Sequence, residues 1–196
     1  MSKGAESKID VDASERRAAE VLAAVPGYLW DGESVPVPIE DIADSCFGLL
    51  VRDVEDMAAA PGCPELAPDQ ALSGLLLTDR GEIWVNAAEA REWPPRRRFT
   101  IGHELGHWVL HRDAQRSVFC RSTTVQPEEQ ERPQSEPIPD IEEEASEFAA
   151  ALLMPAELVR RHYADCGGDF AEMCRRFDSS GAAMGKRLHA AVPRSA

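Results

Sequence analysis

Apolar positions along this chain follow two periods. One is the three-to-four spacing of amphipathic helices; the other is the short run or alternation of strands. Residues 13–25 read as a helix, with Ser14 as its cap and Pro26 as its stop. A second short helix runs from Pro38 to Cys46, apolar through Ile39, Ile42 and Ala43. Phe47 to Val54 reads as a strand, and residues 56–70, with Pro61, Gly62, Pro64 and Pro68, as a loop. Ser73–Thr78 and Glu82–Asn86 form a hairpin around Asp79-Arg80-Gly81. Arg91 to Arg97 is a proline-containing connection. Phe99 to His111 carries the clearest helical pattern. Ile141 to Met154 is a further helix, ended by Pro155. Phe170–Phe177 and Ser180–Ala190 close the chain as two short helices.

These elements predict a flexible tail over residues 1–12 and a single domain over 13–192. An insert at 122–140 is rich in proline and acid and poor in apolar residues, so it cannot repay the entropy of ordering and is predicted to be disordered.

Composition narrows the partners. Of 196 residues, 43% are hydrophobic and 29% charged, as in ordinary globular proteins, and the net charge is −14. Such a surface repels phosphate backbones, which argues against direct nucleic-acid binding but not against a basic protein partner. Cys46, Cys63, Cys120, Cys166 and Cys174 form no CxxC pair, which fits free thiols in a reducing cytoplasm. No signal peptide is evident, and no stretch approaches the ~20 apolar residues of a membrane span, so a cytoplasmic location is expected.

The chemistry concentrates in His103-Glu104-Leu105-Gly106-His107, an HExxH pattern. On a helix its two histidines lie about 40° apart, one turn from each other. Ile101, Leu105, Trp108 and Val109 take the opposite side, so both imidazoles can face a cleft and share one Zn²⁺. Glu104 sits beside them as the candidate general base. A third ligand is needed. His111 stands eight residues, or about 12 Å of rise, from His103, too far to share the ion. The helix from Ile141 is the other source. Its apolar face (Ile141, Ala145, Phe148, Ala149, Leu152) leaves Glu142 and Glu144 each at an edge, about 80° from the centre, and periodicity does not choose between them.

These blocks resemble the ImmA/IrrE metallo-endopeptidases. Arg96 to His111 looks like the family's signature helix, and Glu144-Ala-Ser-Glu-Phe-Ala-Ala-Ala-Leu-Leu-Met-Pro like its second block. Gly74–Asn86 is similar to its preceding hairpin and Phe177–Leu188 to its closing stretch, although Asp178-Ser179 departs from the usual pattern there. The match covers roughly residues 38–190. The resemblance implies an α+β, minimal zincin-like fold, with a small twisted sheet packed against the HExxH helix. It implies Glu144 as the third ligand beside His103 and His107, and Glu104 as the base. It also implies cleavage of an intracellular protein substrate, a helix-turn-helix repressor, in a stress response. A non-proteolytic module that holds metal and regulates a repressor or toxin by docking is the rival reading.

Other expectations attach to single residues. An extended substrate could add as a strand beside Glu82–Asn86. His111, His162 and Tyr163 are candidates for supporting the site or donating to an oxyanion. Cys120, between the two metal-binding helices, is a candidate regulatory thiol, although an ordinary buried cysteine is the plainer reading. Arg96, Arg97 and Arg98 are expected to anchor the start of the signature helix through local acids rather than to bind nucleic acid.

Overall fold

The computed structural model describes residues 11–59, 70–112, 117–123 and 140–192; of 117–123 it describes the backbone alone. Eight helices and four strands are present among them: α1 (Val11–Ala24), α2 (Ile39–Phe47), β1 (Leu50–Val54), β2 (Gln70–Leu77), β3 (Glu82–Asn86), α3 (Ala87–Glu92), α4 (Pro94–His111), β4 (Ser117–Thr123), α5 (Asp140–Leu153), α6 (Ala156–Asp165), α7 (Phe170–Phe177) and α8 (Gly181–Ala191). The expected α+β, minimal zincin-like architecture is the one found. Residues 1–10 and 124–139, which hold most of the expected tail and insert, lie outside the described residues.

The sheet runs β1-β3-β2-β4, with β1 parallel to β3 and the other pairs antiparallel. The hairpin β2–β3 turns through Gly81 at φ 63, a left-handed conformation that glycine adopts without strain. One face of the sheet meets the helices. Leu76, Ile83 and Val85 point there and join Ile42, Ile101, Leu105, Phe148, Leu152 and Phe177 in the main core. The other face holds a smaller cluster of Met57, Leu72, Leu75 and Leu77, with Val54 and Trp84 against it. Leu72 and Leu75 share that face because the β2–β4 register shifts between Leu72 and Gly74.

The glutamates of α5 owe their placement to its packing. α5 lies against α4 on one side and α1 on another. On the α4 side, Gly102 and Gly106 let the helices approach. A Cβ at Gly106 would stand 2.9 Å from the carbonyl oxygen of Ala145, and one at Gly102 3.3 Å from Cβ of Ala149. On the α1 side, Ser14 is buried and donates its hydroxyl to the carbonyl of Glu144. Ser14 is therefore not a helix cap: α1 begins earlier, at Val11, and Ser14 serves the interface instead.

Three elements were not read from the sequence. α3 and the first turn of α4 occupy the expected connection at Arg91–Arg97; Pro94 and Pro95 stand in the first turn of α4, where no backbone N–H is needed. α6 and β4 are the others.

Arg97 donates to Glu40 and Asp53, and Arg98 donates to the Val37 carbonyl and faces Asp178. Arg96 pairs with Glu89. The trio thus ties the start of α4 to α2, β1, α3 and the α7–α8 turn, as local anchoring requires.

Candidate metal centre

α4 presents His103 and His107 one turn apart on its α5 side. Their Nε2 atoms lie 3.0 Å from each other. Oε2 of Glu142 lies 3.2 Å from His103 Nε2, and Oε1 lies 3.3 Å from His107 Nε2. Among the described residues, these three form the one group of His, Cys, Asp or Glu side chains close enough to share a metal ion. Ligand atoms about 2.0–2.1 Å from a tetrahedral zinc sit about 3.3 Å apart, so the donor set fits such an ion. Ser146, one turn along α5 from Glu142, stands 3.2 Å from Nδ1 of His103 and can hold that ring in place.

The carboxylate that joins the histidines is therefore that of Glu142. Glu144, which the resemblance named, lies on another contact: its Oε2 is 3.3 Å from Nε2 of His111. The two glutamates are 200° apart on an ideal helix, so only one can face the His103–His107 pair. The distance between Glu144 and His111 suits an ion pair, but no hydrogen bond to His111 Nε2 is formed. The His111 ring also bonds the Ile141 backbone. His111 thus faces α5.

Glu104 is fully buried, and neither of its carboxylate oxygens has a hydrogen-bond partner. Burial, with the charge of Glu142 adding to it, raises its pKa well above the ordinary 4.5. Burial also opposes ionisation of Glu142, but hydrogen bonds from His103 and His107 outweigh it and hold that carboxyl at about 2. Desolvation lowers the pKa of His107, which favours the neutral ring that a metal requires. Two adjacent glutamates are thereby pushed in opposite directions, one toward a fixed charge and one toward holding a proton.

The remaining candidates lie elsewhere. Tyr163 stands on α6 with its hydroxyl against Gly168. His162 packs edge-on to Phe177 and has Nδ1 near Arg176. Cys120 falls on β4 in register with Gly74; its side chain lies outside the described residues. β3 cannot accept an added strand, because β1 and β2 already pair with it on both sides. Among the described residues, no helix is long and apolar enough to cross a membrane.

A search of curated proteins finds no match. The family model of the IrrE N-terminal-like domain, Peptidase M78, matches residues 65–189, a span that includes the hairpin, α4, α5 and most of α8. The chain belongs to the IrrE N-terminal-like, Peptidase M78 family, and its function is of the metallopeptidase type.

Proposed function

We propose that the protein is a zinc-dependent endopeptidase. The observation that carries this reading is the convergence of His103, His107 and Glu142 beside a buried, unpartnered Glu104. His103 Nε2, His107 Nε2 and a Glu142 oxygen would hold the ion. When bound, the ion supplies Lewis acidity, which lowers the pKa of coordinated water and polarises a peptide carbonyl.

The chain's own residues do the rest. Glu142 would contribute one negative charge toward the cation, and His103 and His107 would contribute neutral nitrogen donors. Ser146 orients the His103 ring. Glu104 takes a proton at a carboxylate oxygen and returns it to the departing amine. Burial, which raises its pKa, makes it a stronger proton acceptor than an ordinary carboxylate. Burial excludes bulk water from that proton. Among the described residues β4 is an edge of the sheet, and an extended substrate would add as a strand along it. The substrate is a helix-turn-helix repressor in the same compartment. The likeness to the ImmA/IrrE metallo-endopeptidases supports this choice, and the −14 charge suits a basic partner.

The test is Glu104→Gln. It keeps stoichiometric zinc and loses cleavage of the repressor, followed by gel and mass spectrometry. Cleavage retained by Glu104→Gln overturns Glu104 as the base. Zinc-loaded wild-type protein that binds the repressor tightly and never cuts it overturns the peptidase reading in favour of regulation by docking.

A further inference from the structure

We infer that Gly74 is a positioning residue for Glu104. This rests on Glu104 being the base of the proposed reaction. The backbone conformation of Gly74 is one that other residues adopt, since its φ is not positive. Its glycine is required by space. A Cβ here would collide with Cγ2 of Thr100 and stand 2.6 Å from Oε1 and 3.3 Å from Cδ of Glu104. A glycine inside a strand commonly marks such a close approach.

The approach cannot be relieved by moving the strand. β2 is held between β3 and β4, with Gly74 in register with Val85 on one side and Cys120 on the other. Nor can α4 retreat, because Gly106 already lies against the backbone of Ala145 on α5. Glu104 has no hydrogen bond at either carboxylate oxygen, so packing rather than polar contact sets its position. The bare backbone at Gly74 forms one wall of that packing. Thr100, one turn earlier on α4 and also buried, shares the wall. The metal ligands are reached from the α5 side of α4. A side chain at position 74 therefore displaces the base and leaves the donor set in place.

The experiment is a mutant cycle in the full chain. Gly74→Ala, Glu104→Ala and their double variant, all made in a Thr100→Ser background that removes the other clash at position 74, are unfolded thermally after chelation of metal. Gly74→Ala lowers Tm when Glu104 is present and lowers it much less once the Glu104 side chain is gone. Additive penalties overturn the inference. This arm needs no substrate, so it stands apart from the peptidase reading. The second arm uses Gly74→Ala/Thr100→Ser, in which the loss of Cγ2 of Thr100 helps the chain fold. Zinc content stays at one per chain, and kcat on the purified full-length repressor falls by about 10²-fold with KM little changed, as expected for a base displaced by about 1 Å. Full turnover by that variant overturns the inference.

Discussion

Oε2 of Glu144 lies 3.3 Å from Nε2 of His111, while Oε1 of Glu142, two residues earlier, lies 3.3 Å from Nε2 of His107. Successive faces of α5 thus meet successive histidines of α4. The Glu142 contact would supply a metal donor, and the Glu144 contact is a separate pairing of α5 with α4.

The two glutamates should separate in metal affinity. Glu142→Gln lowers zinc affinity by more than about 100-fold, because it removes a charged donor. Ser146→Ala lowers it by about tenfold, as loss of a partner that orients a ligand commonly does, and Glu144→Gln lowers it less. Competition with a chromophoric chelator measures all three. A larger loss for Glu144→Gln than for Glu142→Gln would restore Glu144 as the ligand.

The buried base predicts a pH effect on the metal-free protein. Burial raises the folded-state pKa of Glu104 above the ordinary 4.5. Below about pH 4.5 the carboxyl is protonated in both states. Above that, unfolding releases a proton, so the unfolded state binds fewer protons and stability falls as pH rises toward the folded pKa. Glu104→Gln lacks this dependence. Calorimetry after chelation should show the Tm difference moving in favour of Gln between pH 4 and neutrality. A difference that does not change with pH would show that Glu104 is ionised in the metal-free fold.

Gly102 and Gly106 should behave differently although both lie on the α5 side of α4. At Gly102 an added methyl meets Cβ of Ala149 and Cδ1 of Leu153, at 3.3 and 3.4 Å. Small side-chain shifts absorb this, and the gain in helix propensity is about 0.8–1 kcal/mol, so Gly102→Ala holds or raises Tm. At Gly106 the methyl meets the backbone of Ala145. Gly106→Ala should cost about 1–3 kcal/mol by overpacking and, by pushing α5 outward, weaken zinc binding by about tenfold or more. Thermal unfolding and zinc titration of the two variants check the contrast. Unchanged zinc affinity in Gly106→Ala would show that this contact does not set the place of Glu142.

The signature helix was legible because two facts coincide in one segment: an apolar stripe through Ile101 and Leu105, and a pair of histidines on the other side. The carboxylate that joins the histidines was not, because Glu142 and Glu144 stand symmetrically about the apolar face of α5. That symmetry is broken by tertiary contacts, with Ser14 of α1 on the Glu144 carbonyl and His111 on its carboxylate. α6 was legible in hindsight, since Pro155 precedes a stretch in which Leu158 and Val159 turn inward. β4 offered only Ser117–Thr123, and the added strand expected at β3 failed because topology, which composition does not reveal, places β3 inside the sheet. The prolines at 94 and 95 read as a break and are a helix start.

Arg187 on α8 is buried; it donates to the Met154 carbonyl and, with both terminal nitrogens, to Glu15 on α1. A segment ahead of the matched span of residues 65–189 is thereby fastened to the far end of the helix that carries Glu142. Cutting the chain back to that span strips α1 from the back of α5 and leaves an arginine buried for a partner that is gone. The smallest fragment expected to keep that helix in place is accordingly larger than the stretch by which its kinship is recognised.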